Sequence, residues 1–292
     1  MYERIVVPLD GSTFAECALP LAERVARRAG AELRLVTVAE PSGPVAAELE
    51  SYLAAVAERI ADGEPKAITT AVRTGGVVQG LLDEGAGSGT NLTVMATHGR
   101  GGLSRLWLGS VASAFLHATD RPLLLVRPEN GDASAPVVHW GFAKLLVPLD
   151  GSDLSERVLE HAAEFGGMFD ASYHLVRIVN PPVDIGSPYS PTGVNVSPEL
   201  LEAAVATAEA YLASEAEMLR SHGLEVTTAV RVGGQAGRGI LEEVEEAGCD
   251  SIAMATHGRV GISRAVLGSA ADKVLRGARV PVLLYRPENV ST

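Results

Sequence analysis

The residues best placed to do chemistry lie in one stretch, Ala96-Thr97-His98-Gly99-Arg100-Gly101-Gly102, which leads on to Leu108-Gly109-Ser110. The chain repeats it as Ala255-Thr256-His257-Gly258-Arg259, leading to Leu267-Gly268-Ser269. Each copy has a glycine, nine residues and then Gly-Ser, behind an apolar run that reads as a buried strand. A strand, a glycine-rich loop and a helix start together suit an anion. The first N–H groups of a helix have no intrahelical acceptor, and the helix dipole puts partial positive charge beside them. Glycines in front let a bulky phosphate approach the backbone without meeting a Cβ. The blander use of Ser110 and Ser269 is as helix caps. A long motif kept in two otherwise divergent copies favours a nucleotide site.

The elements that must hold these loops also come twice. Ile5-Val6-Val7-Pro8-Leu9 ends at Asp10-Gly11-Ser12, and 140 positions later Leu145-Leu146-Val147-Pro148-Leu149 ends at Asp150-Gly151-Ser152. Proline near the end of such a run fits a strand leaving its ladder. Asp or Ser then caps a helix, predicted in the first copy over Phe14 to Arg28 and stopping near Gly30. Leu33 to Val38 and His174 to Val179 read as second strands, with Leu35-Val36 and Leu175-Val176 again 140 apart. Helices are predicted near 46–61 and 199–221, near 78–84 and 238–247, and over 110–118 and 269–277. Leu123–Val126 and Val282–Tyr285 read as closing strands. Thr69–Arg73 matches Thr227–Arg231 at an offset of 158, so the second copy carries an insertion, much of it the Pro/Gly/Ser-rich 181–191. That composition signals a surface loop. The alternation predicts an α/β chain of two tandem Rossmann-like domains, 1–130 and 142–292, joined by a linker over 131–141. Each is a five-stranded, mainly parallel sheet with helices on both faces. Ligands of such sheets bind beyond the carboxyl ends of the strands. Asp10, the Thr37–Val38 backbone and the Ala96–Gly109 loop would meet at that edge.

Composition narrows the partners. Among 292 residues, 36 acidic side chains outweigh 24 basic ones, for a net charge of −12. This argues against nucleic acid or an anionic membrane surface. It does not argue against a nucleotide, because charges beyond about 8 Å are largely screened. Cys17 and Cys249 lie in different halves without metal-ligand spacing, and read as buried free thiols in a reducing compartment. No apolar run approaches the roughly 18 residues of a membrane span, and no signal-like leader is seen, so a soluble cytoplasmic protein is expected. His117, His139, His161 and His222 have no ligand spacing, and no metal site is assigned. There is no Gly-Lys-Ser/Thr loop, and neither Gly99-Arg100-Gly101-Gly102 nor Gly237-Arg238-Gly239 completes a dinucleotide fingerprint. No catalytic residue is assigned. His98 and His257 are expected to shape the loop or the phosphate edge, while Arg100 and Arg259 either approach a γ-phosphate or stand in solvent.

The Val-Pro-Leu-Asp-Gly-Ser starts, the Ala-Thr-His-Gly-Arg loops with their later Gly-Ser, and the closing apolar strands before Arg-Pro resemble the universal stress protein family in its tandem two-domain form. The resemblance covers nearly the whole chain. The ATP-binding branch has Gly, two residues, Gly, nine residues, Gly, then Ser or Thr. Here Gly99 with Gly109, and Gly258 with Gly268, match the second and third glycines; Ala96 and Ala255 stand for the first. The resemblance implies ATP, with or without Mg²⁺. It implies that Asp10 and Asp150 contact the ribose, that backbone near Val38 and Ile178 meets adenine, and that the loop glycines with Ser110 and Ser269 hold phosphates. Pro8, Thr37, His98, Arg100 and Val111 complete one candidate set; Pro148, Arg177, His257, Arg259 and Ala270 complete the other. Family dimers associate through their last strands, so the two halves are expected to form an internal pseudo-dimer, with homodimers of tandem chains a further option. The expected function is an ATP-binding stress-response or regulatory module with at most very slow hydrolysis. A slow ATP hydrolase or nucleotide-transferring enzyme, and a scaffold of the same fold without nucleotide, stay open as alternatives.

Overall fold

Each half begins with a five-residue strand whose three central residues are wholly buried, β1 (Arg4–Pro8) and β6 (Lys144–Pro148). The computed structural model describes residues 1–39, 45–61, 67–85, 91–97, 108–127, 141–180, 198–256 and 267–286. The expected linker over 131–141, save Gly141, and the insertion at 181–191 lie outside them. After β1 the first half runs α1 (Thr13–Glu16), α2 (Leu19–Ala29), β2 (Glu32–Ala39), α3 (Ala46–Ile60), β3 (Ala67–Thr74), α4 (Val77–Gly85), β4 (Asn91–Ala96), α5 (Ser110–Ala118) and β5 (Leu123–Val126). After β6 the second runs α6 (Asp153–Glu156), α7 (Val158–Gly167), β7 (Ser172–Val179), α8 (Pro198–Ser221), β8 (Val226–Val232), α9 (Ala236–Glu246), β9 (Ser251–Ala255), α10 (Ser269–Gly277) and β10 (Val282–Tyr285).

The ten strands of the described residues form one sheet, ordered β3-β2-β1-β4-β5-β10-β9-β6-β7-β8. Within each half the pairs are parallel; where the halves meet, β5 and β10 run antiparallel, with Leu123 opposite Leu284 and Leu125 opposite Val282. The expected internal pseudo-dimer through the last strands is therefore the architecture found. Parallel strands need helical crossovers, and these bury both faces of the sheet. One face packs α2, α3, α7 and α8 through Leu21, Val25, Leu53, Val158, Phe165 and Leu212. The other packs α4, α5, α9 and α10 through Leu81, Phe115, Ile240 and Val274.

The helix predicted over Phe14 to Arg28 is two helices. Ser12 caps α1, its hydroxyl accepting from Ala15 N at 3.2 Å, and α1 stops at Glu16. The chain restarts at Leu19 with Pro20 in the first turn of α2, where a missing N–H costs nothing. The second half breaks at the matching place, Arg157, without a proline. Gly30, at φ 62°, ends α2 in the left-handed region as expected.

Candidate functional site

The site follows from unequal strand lengths. The pairing of β1 with β2 ends at Pro8 opposite Val36, and Leu9 adds one bond from its N–H to Val36 O at 2.7 Å. β2 continues to Ala39, and β4, last paired with β1 at Thr93, continues to Ala96. The end of β1 is thus the floor of a notch between two longer strands, and Asp10 stands there. The second half repeats it: β6 pairs as far as Pro148 opposite Val176, while β7 reaches Val179 and β9 reaches Ala255. This is where the helices change face, since the crossover from β1 uses α2 and the crossover into β4 uses α4 on the opposite side. Ligands of open α/β sheets bind at this switch point.

The turn on the floor is shaped by its aspartate. Asp10 Oδ1 accepts from the N–H and hydroxyl of Ser12 at 2.9 and 2.5 Å; Asp150 Oδ1 accepts from Ser152 at 3.0 and 2.6 Å. Between them Gly11 and Gly151 both take φ 80°, where a Cβ would strain the turn. On one wall, the backbone of Thr37 and Val38, or of Arg177 and Ile178, runs past the end of the short strand. The side chains of Val38 and Ile178 point away, onto helix glycines: a Cβ on Gly80 would lie 3.2 Å from Val38 Cγ2, and one on Gly239 3.0 Å from Ile178 Cδ1.

The other wall is the helix start. Thr97 N donates to Val126 O at 2.8 Å, and Gly109 N donates to Thr97 O at 2.7 Å, so the N-terminus of α5 is tied to the end of β4. Thr256 does the same for α10, with bonds of 3.0 Å to Tyr285 O and from Gly268 N. Ser110 and Ser269 are not the caps the blander reading makes them. Gly109 and Gly268 occupy the N-cap positions, and the serines are the exposed first residues of their helices. The first intrahelical bond of α5 runs from Ser113 N to Gly109 O, which puts the N–H groups of Ser110, Val111 and Ala112 ahead of the ladder. Val111 and Ala270 lie half-buried just inside. Gly109 (φ −56°, ψ 151°) and Gly268 (φ −58°, ψ 142°) have backbone angles open to any residue, so conformation does not demand glycine there.

The structure therefore brings Pro8, Asp10, Thr37, Val38, Ala96, Gly109, Ser110 and Val111 to one strand edge, and Pro148, Asp150, Arg177, Ile178, Ala255, Gly268, Ser269 and Ala270 to the other. His98, Gly99, Arg100, His257, Gly258 and Arg259 lie outside the described residues. Ala96 and Ala255 are 6% and 9% exposed, so the methyl groups that replace the expected glycines are largely enclosed by protein. A further pair escaped the motif-based reading. The Tyr52 hydroxyl donates to Glu16 Oε1 at 2.9 Å, and the Tyr211 hydroxyl to Glu156 Oε1 at 2.8 Å, beside each turn. Burial, then the hydrogen bond to Glu16 and the charges of Glu16 and Asp10, raise the Tyr52 phenol well above its ordinary range. The signal was present: glutamate and tyrosine recur at matching places in the repeats.

Fold and edge define a tandem, doubly wound α/β protein with the same strand-end notch in each half. The model of the universal stress protein family matches residues 1–127 and again 141–286. A universal stress protein of Mycolicibacterium smegmatis is 28% identical over 306 residues, covering 97% of each chain. Universal stress protein A homolog 2 of Coxiella burnetii is 35% identical over 147 residues, 50% of this chain and 95% of that one. Among solved structures, a universal stress protein from Archaeoglobus fulgidus superposes with a TM-score of 0.70 at 21% identity, covering 98% and 97% of the two chains. The chain belongs to the universal stress protein family, as two tandem copies.

Proposed function

We propose that this chain binds adenine nucleotide, ATP with or without Mg²⁺, at the strand edge, and acts as a regulatory stress-response module in which ATP is ligand rather than fuel. The observation that carries the reading is the glycine N-cap at the rim of the notch. Its backbone angles do not require glycine, a serine there would cap the helix at least as well, and the missing Cβ clears the approach to the leading N–H groups of α5. The residues fit the group. Asp10 stands at the end of β1 and Gly109 is tied to the end of neighbouring β4, so the turn and the helix start flank one notch, and the Val38 backbone lies past the end of β1. Bound ATP would supply a charged, conformation-sensing ligand; the chain orients it through the turn, the strand edge and the helix start. We extend the reading to domains at 1–130 and 142–292 with a linker between, and to a reducing, cytoplasmic setting, which the two free buried thiols support. Among the described residues, no helix is long and apolar enough to cross a membrane.

Mass identification of small molecules released on denaturing the purified chain should find an adenine nucleotide. Gly109→Val should lower calorimetric ATP affinity at least about tenfold, against a cost of about 1 kcal/mol for a poorer N-cap. Unchanged affinity in the folded variant would remove the phosphate assignment for that loop, and no nucleotide by either route would leave the non-binding scaffold. Ser110 and backbone N–H groups hold ground-state and transition-state phosphate alike, so turnover should stay below about one per minute. Phosphate release near one per second, lost on changing Ser110 and Ser269 together to Ala, would make the protein an enzyme.

A further inference from the structure

The halves differ at the wall of the notch. Residue 37 is a threonine, 3% exposed; 140 positions later the same place in β7 holds Arg177. The guanidinium carbon of Arg177 lies 4.8 Å from the centre of the Tyr211 ring. Three of its guanidinium atoms lie 3.0–3.1 Å from where a Cβ of Gly151 would stand. The flat cation is therefore laid against the Asp150–Gly151 turn and against the tyrosine that Glu156 holds.

The first half keeps the turn and the tyrosine–glutamate pair but compensates its acid from elsewhere. Arg59 of α3 meets Glu16 at 2.5 Å, and its counterpart in α8 is Met218. Asp10 is near enough to Tyr52 to help raise that phenol; around Tyr211 the charged neighbours are Glu156, Glu215 and Arg177. Glu215 stands where the first half has Val56. The arginine and the extra acid beside this tyrosine are thus both particular to the second half.

We infer that Arg177 makes the two crevices unequal: the first takes the adenosine end of the nucleotide, while in the second the guanidinium fills the corresponding place against the Asp150 turn. The inference rests on the nucleotide reading above. A ribose reaching Asp150 has to lift the cation from the turn and from the Tyr211 ring. Arg177 does not act as a phosphate clamp. It reaches Tyr211 on the α7 and α8 face of the sheet, whereas the Gly268–Ser269 helix start packs on the opposite face.

The test uses the full chain, titrated with ATP by calorimetry and photolabelled with 8-azido-ATP. Wild type should bind one ATP, with label in peptides of the first half. Arg177→Thr should bring the stoichiometry to two and the label to both halves; Arg177→Gln serves if the threonine variant fails to fold. Gly109→Val should leave wild type with no high-affinity site and Arg177→Thr with one. Two equivalent ATP in wild type, or one in every folded Arg177 variant, would overturn the inference alone. No ATP on any variant would overturn the nucleotide reading, and this inference with it.

Discussion

Glu84 and Glu243 are buried carboxylates at matching positions, 3% and 7% exposed, and each ties a helix to the sheet. Glu84 accepts from Arg34 Nε and Arg73 Nε, both at 2.7 Å. Glu243 meets His174 Nε2 and Arg231 Nη1, both also at 2.7 Å, so histidine replaces one arginine. Burial alone would raise the Glu84 carboxyl, but the hydrogen bonds and charges of Arg34 and Arg73 outweigh it and hold the group below its ordinary value. A carboxyl depressed on folding stabilises the native state above its unfolded pKa of about 4.3, and that contribution disappears as pH falls through the folded pKa. Glu84→Gln should therefore cost about 1–3 kcal/mol at pH 7, a discounted figure because both arginines can reach water. It should also flatten the loss of stability between about pH 5 and pH 3. Chemical denaturation across that range measures both, and an unchanged acid slope would show that the pairing contributes nothing.

Helices repeat more faithfully than the distances between them. Gly237 of α9 stands where α4 has Val78. A Cβ there would lie 2.6 Å from Lys273 Cβ and 2.9 Å from the carbonyl oxygen of Ala270, both in α10. Gly237→Ala gains up to about 1 kcal/mol of helix propensity, yet the clash involves backbone and should win, for a net loss of about 1–2 kcal/mol in urea denaturation. A variant as stable as wild type would mean that α10 can shift outward freely. Such spacing cannot be read along one chain. What could be read were the runs and their punctuation: α5 and α10 start at the predicted Gly-Ser steps, and β5 and β10 fall on the predicted residues because four-residue apolar runs between proline-marked ends leave little choice. The break after Glu16 was not anticipated, although Pro20 marked it, because the apolar stripe of Ala18, Leu21, Ala22 and Val25 continues across the join. The notch residues were legible from the rule that ligands meet strand ends. The contact of Arg177 with Gly151 was not, since it joins a strand end to a turn and a helix that only the folded sheet brings together.

At the scale of the whole molecule, the seam between β5 and β10 is what makes two halves one sheet. Leu123, Leu124, Leu125 and Val126 are at most 2% exposed because the second half covers them. Contacts on either side reinforce the join: Arg24 Nη2 donates to Gly141 O at 3.1 Å, Arg24 and Arg28 lie over the Phe169 ring, and Arg127 Nη1 donates to Arg276 O at 2.8 Å. Residues 1–135 expressed alone would expose that apolar edge, and should pair with a second copy or precipitate. A stable, soluble monomer in sedimentation would show that the seam is dispensable.

Because that seam lies within a single polypeptide, its formation is intramolecular, at an effective concentration on the order of millimolar that dilution does not change. A dimer of separate copies would dissociate as its expression fell, and every substitution in it would appear at both sites at once. Here the ratio of the two crevices is fixed at synthesis, and a change in one leaves its neighbour untouched. A threonine can thus persist in one half and an arginine in the other, and a cell with few molecules of the protein still holds every one of them fully assembled.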